Sequence, residues 1–121
     1  MDFGERRIVI LHGKLRERNE TQKVVITVHN EQEATFDDLV KDAKQKGFLF
    51  FPYHCYIDAE GECTKGRDDN AIASIDIGGT TECYTVLIDA PRYELMTSKQ
   101  HKTLDLLLVQ FEGIQVEIRE V

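Results

Sequence analysis

An α/β (α+β) fold, with a central mixed sheet of about five or six strands and two main helices, is what this sequence predicts. Three observations carry that expectation. Short β-branched runs recur along the chain, two stretches show a helical period behind a capping signal, and a glycine stands where each helix must stop. Arg7 to Leu11 (RIVIL) and Val24 to His29 (VVITVH) read as strands, joined by the charged connection GKLRERNETQK. From Thr35 the period becomes helical, with Phe36, Leu39, Val40 and Ala43 on one face. Thr35 and Asp38 are spaced as a capping box, and Gly47 ends a helix that runs to about Lys46.

The next segment, GFLFFPYHCYIDAEGECTKG, returns to extended structure. Pro52 argues for an edge position or a bulge, and Ala59-Glu60-Gly61 supplies a hairpin turn. Strand signal recurs at Cys83 to Asp89. A second helix follows Thr97 and Gln100, another capping pair, and buries Leu104, Leu107, Leu108 and Phe111 before Gly113. The tail IQVEIREV alternates apolar and polar residues and reads as a half-buried strand. With 121 residues and 41% hydrophobic content, the chain has room for a single domain. Residues 1–23 are expected to form an added N-terminal strand and hairpin, and 24–121 the main body.

Charge and composition exclude several functions. Fifteen Lys and Arg against 22 Asp and Glu leave a net charge of −7, which repels a phosphate backbone, so nucleic acid is not an expected partner. No stretch reaches the roughly 20 apolar residues of a membrane span. The opening MDFGERRIVI has acids where a signal peptide carries basic and apolar residues, so the expected location is cytoplasmic. Cys55, Cys63 and Cys83 form no CxxC pair and leave an odd one over. That suits a reducing compartment better than a disulfide framework.

The stretch Asp76-Ile77-Gly78-Gly79-Thr80-Thr81 resembles the first phosphate loop of sugar kinases and actin-like ATPases. Those proteins need a second lobe and further nucleotide motifs, for which this chain has no room. A tight loop using positive φ at Gly78 or Gly79 is the favoured reading.

The ordered set Gly47-Phe48, Tyr53-His54, Glu60-Gly61 and Gly66-Arg67-Asp68 resembles the central segment of small phage N-acetylmuramoyl-L-alanine amidases and peptidoglycan recognition proteins. Val28-His29 ahead of the first helix and Thr97-Ser98-Lys99-Gln100 opening the last extend the likeness over residues 24–121. The resemblance implies a zinc amidase fold in which His29 is the first metal ligand and Tyr53 the hydroxyl that assists catalysis. It puts the second ligand at Ile118, in Ile118-Arg119-Glu120, where isoleucine has no lone pair to offer. The third ligand lies beyond Val121 in that family, and one imidazole cannot hold zinc tightly. His54, Arg67, Asp68, Asn70, Thr80 and Thr81 are the candidate groove or ligand-binding residues. The family's Ala-His or Ser-His pair is replaced by Ala73-Ser74.

The resemblance with these departures implies a catalytically inactive amidase-like protein that acts by binding a partner, such as a phage or prophage inhibitor of a host factor. A zinc amidase with a non-standard or intersubunit metal site is one alternative. A non-catalytic binder of peptidoglycan fragments or another small ligand is the other. No cofactor is expected unless an improvised zinc site forms. His29, His54, Cys55 and Cys83 are the donors for one, although His54 and Cys55 must face opposite ways on a strand. The competing reading makes Cys55 and Cys83 small core residues, His54 a hydrogen-bonded strand histidine, and Arg67 and Asp68 a turn-stabilising ion pair. The acidic surface suits a basic protein partner, and an exposed face around Ile118 suits a homodimer.

Overall fold

The computed structural model describes residues 17–18, 20–32, 34–47, 51–73 and 82–121. The expected strand at Arg7 to Leu11 and the Asp76 to Thr81 loop lie outside the described residues.

Five strands form one mixed sheet: β1 Lys23–His29, β2 Cys55–Ile57, β3 Cys63–Lys65, β4 Tyr84–Asp89 and β5 Gln115–Glu120. Their spatial order is β3-β2-β4-β1-β5, with β2, β4, β1 and β5 parallel and β3 antiparallel to β2. Helices α1 (Phe36–Gln45) and α2 (Ser98–Leu108) cover opposite faces. Val24, Ile26 and Val28 of β1 join Val86 and Ile88 of β4 beneath Leu104 and Leu107 of α2. On the other face Tyr56 and Leu87 pack with Phe51 against Phe36, Leu39 and Val40 of α1. A strand buried on both sides has no polar face to show, which is why β1 reads as a continuous apolar run.

Both capping boxes form. Thr35 and Asp38 exchange side-chain and backbone hydrogen bonds at the start of α1, and Thr97 and Gln100 do so at α2. Gly47 and Gly113 follow the helical segments with φ of 93° and 86°, conformations that cost any other residue more. After α2 the chain tightens into a 3-10 turn at Val109–Phe111 before β5.

Three expectations need correction. Tyr53 and His54 precede β2 and do not belong to it, and Pro52 lies in the bend that leads into the strand. The tail strand lies at the edge of the sheet formed by the described residues, and its apolar residues are exposed, Val116 by 39% and Ile118 by 43%. Cys55 and Cys63 are joined in a disulfide, and Cys83 is a buried thiol outside that bridge. The hairpin makes this possible: Cys55 pairs with Lys65 and Ile57 with Cys63, so the two cysteines sit diagonally on one face. Their Cα atoms are 6.3 Å apart, within reach of a bridge. The reading of a reducing compartment rested on free cysteines, and the bridge removes that ground. No helix among the described residues is long and apolar enough to cross a membrane.

Candidate functional site

Alternation along β1 sends Thr27 and His29 to the α1 face, whereas Val28 points to α2. There they border a groove of about 290 Å3. Leu39 and Ala43 of α1, Phe51 and Leu87 give it an apolar lining, and Glu31, Asp42, Lys46 and Tyr53 contribute polar groups. The Phe51 ring is held by Phe36 at 5.0 Å and Tyr53 at 6.0 Å between ring centroids. Gly66 backs this wall closely: a Cβ there would lie 2.3 Å from the Phe51 ring and 2.6 Å from the Tyr53 carbonyl oxygen.

The polar groups are organised in pairs. His29 Nδ1 meets the Glu31 carboxylate, and the Glu31 backbone N–H donates to Asp89 Oδ1 at 2.7 Å. Asp89 is buried at the end of β4 and thereby fixes the turn that carries Glu31. The Tyr53 hydroxyl is hydrogen-bonded to the Thr27 side chain, and burial pushes its pKa up, so the phenol stays protonated at neutral pH. Lys46 Nζ reaches Asp42 at 2.9 Å on the exposed last turn of α1. That rim pair is solvated and can exchange partners at little cost.

A tightly held zinc needs three convergent protein ligands, and the described residues do not fit it. Among the described residues no three His, Cys, Asp or Glu side chains are grouped to hold a metal ion. Ile118, the expected second-ligand position, pairs with Ile26 and shares the α2 face, so it points away from His29 whatever residue stands there. The β5 ladder continues past Val28–Glu120, with the Val121 N–H donating to the Val28 carbonyl at 3.1 Å. Val121, an aliphatic side chain, therefore lines the groove with His29.

Two of the other candidate residues, His54 and Arg67, support the groove wall. His54 was expected along the groove; it is wholly buried instead. Its Nδ1 accepts the Thr85 backbone N–H at 3.0 Å, leaving the proton on Nε2 to donate to the Ala71 carbonyl at 2.7 Å. The ring stacks on Tyr84 at 4.8 Å. Burial, aided by the Arg18 and Arg67 charges, lowers its pKa to about 4, so it is neutral at pH 7. Arg67 donates to the carbonyls of Phe51 at 2.8 Å and Ile72 at 2.9 Å, tying the groove wall to the loop behind it. Among the described residues no ion pair joins Arg67 to Asp68. Asp68 instead accepts the Asn70 backbone N–H at 3.1 Å, a local turn, and the Asn70 carbonyl accepts from the Arg18 N–H at 2.8 Å. Thr80 and Thr81 lie outside the described residues. His29, His54, Cys55 and Cys83 do not converge: Cys55 is bridged to Cys63, and Cys83 is a buried thiol whose pKa is raised by that burial.

Sequence reasoning missed Glu31, Asp42 and Lys46. The His29-x-Glu31 spacing and the i,i+4 relation of Asp42 to Lys46 were the available signals.

No protein-family model matches the sequence, and no curated protein matches it. Solved structures do resemble it. The N-acetylmuramoyl-L-alanine amidase LysC from Clostridium intestinale superposes with a TM-score of 0.67 at 22% identity, over 83% of this chain and 71% of that one. PGRP-Hd from Alvinella pompejana gives 0.71 at 11% identity, over 89% and 77%. Drosophila PGRP-LB gives 0.63 at 18% identity, over 89% and 76%. At such identities the likeness shows a common fold: the amidase and peptidoglycan-recognition architecture expected from the sequence.

Proposed function

We propose that this protein is a binding protein on the amidase and peptidoglycan-recognition fold, taking a short peptidoglycan-type fragment in the groove without hydrolysing it and without zinc. One observation carries the reading: the groove has an apolar lining and paired polar groups, yet the β5 side chain that lines it with His29 is Val121, which has no ligand atom. Its volume of about 290 Å3 lies at the small end for ligand sites, which suits a few residues of a stem peptide. Lys46 is placed for a ligand carboxylate, and Glu31 and Asp42 for an amine or amide N–H. The names of the similar structures, an amidase and peptidoglycan recognition proteins, support this class of ligand.

A second reading, a catalytically inactive protein that captures a basic protein such as a host factor, draws on the net charge of −7. Calorimetric titration with an N-acetylmuramoyl tripeptide, with and without EDTA, separates these readings. Binding that EDTA leaves unchanged, weakened by Leu39→Glu, with the ligand recovered intact by mass spectrometry, is the expected result. Absence of binding would leave the protein-partner reading, and EDTA-sensitive cleavage to N-acetylmuramic acid and free peptide would mean a zinc amidase.

A further inference from the structure

The β5 strand ends the described sheet, and its backbone shows which residues face outward. Val121 directs its N–H to Val28 of β1. A strand residue points its N–H and C=O to the same side and its neighbours point theirs to the other, so Glu117 and Arg119 also turn inward. Val116, Ile118 and Glu120 turn their backbone groups away from β1. They form a row of three outward donors and acceptors, and Val116 and Ile118 are exposed by 39% and 43%. Glu117 and Arg119 flank Ile118 on the opposite face, where Glu117 also meets Lys23.

We infer that β5 is a self-association edge whose occupant is the β5 of a second copy of this chain, antiparallel and centred on Ile118. Charge complementarity selects both occupant and register. In that register Ile118 faces Ile118 of the second copy, Val116 faces its Glu120, and Glu117 faces its Arg119, twice over by symmetry. The outward backbone groups of Val116, Ile118 and Glu120 then meet their counterparts as hydrogen-bonded pairs. Centring on Glu117, Arg119 or Glu120 would oppose like charges, and centring on Val116 would pair only the start of the strand. The two-fold axis stands perpendicular to the sheet, so both grooves open on the same face of one continuous sheet.

The test is sedimentation velocity of the full chain over a concentration series, with circular dichroism of each variant as the folding control. The expected species is a dimer, twice the 13.9 kDa chain mass. Ile118→Lys should yield monomer. Glu117→Arg should weaken association at least about tenfold by facing Arg119 of the other copy, and the swap Glu117→Arg with Arg119→Glu should restore it. Within one chain Arg119 also meets Glu117, a pair the swap restores too, so urea unfolding of each variant as a monomer separates lost folding stability from lost association. A monomer at every concentration would overturn the inference, as would a dimer indifferent to Ile118→Lys; the edge would then be covered by residues 1–16 or by another protein. Failure of the swap to rescue would overturn the register.

Discussion

The Gln100 side chain donates its Nε2 hydrogen to the Asp89 carbonyl at 2.7 Å, joining the first turn of α2 to the end of β4. The same amide nitrogen donates to the Asp58 carbonyl at 2.9 Å, beyond β2, while Oε1 accepts the Thr97 N–H at 3.0 Å. One buried side chain thus closes a helix cap and holds two strand ends. Gln100→Glu keeps an acceptor for the cap but removes both donors and buries a charge. It should cost about 3 kcal/mol, more than Thr97→Ala at about 1 kcal/mol, in urea unfolding.

His54 makes stability fall in acid. Its folded pKa of about 4 lies below the ordinary 6.5, so between these values the unfolded chain takes up a proton that the folded chain refuses. This contribution is complete above pH 6.5 and is lost as pH drops toward 4, by roughly 3 kcal/mol in total. His54→Gln should lower stability at pH 7 and flatten the unfolding free energy across that window. An unchanged slope would show that another group carries the acid sensitivity.

The Cys55–Cys63 bridge closes a loop with a sequence separation of 8, which corresponds to about 2.5 kcal/mol of chain entropy. Thiol titration of native protein should find no reactive group, because Cys83 is buried. Denaturation should reveal one thiol, and reduction should bring the count to all three cysteines of the chain. Cys63→Ser should lower the urea midpoint by the equivalent of that loop entropy.

Gly66→Ala tests the groove wall. The added methyl would collide with Phe51 and with the Tyr53 carbonyl, and the backbone atom cannot rotate away. A loss of roughly 3 kcal/mol is expected, together with a shift in the near-ultraviolet signal of the Phe51–Tyr53 pair and weaker fragment binding.

Both helices were legible because their signals are local: a cap, a period and a stopping glycine all lie within one short stretch. What could not be read depends on pairing between distant segments. Ile118 faces α2 because it stands opposite Ile26, and no pattern within IQVEIREV says which neighbour that strand takes. Cys55 and Cys63 become partners only once the hairpin register is known. His54 is a support and not a groove residue because Thr85 and Ala71 close around it, and Arg18, which donates to the Ala71 carbonyl at 2.7 Å, reinforces that closure. The His29 side of the groove was found, since a histidine ending an apolar strand marks itself, but Glu31 required the turn held by Asp89.

The placement of β1 between β4 and β5 has a consequence during synthesis. VVITVH emerges from the ribosome well before the segments that pair with it, Tyr84–Asp89 and then Gln115–Glu120. Until they arrive, a strongly apolar segment has neither neighbour and remains available to other nascent chains. Sheet closure therefore waits for both later segments, and chaperone dependence should concentrate on this one early strand.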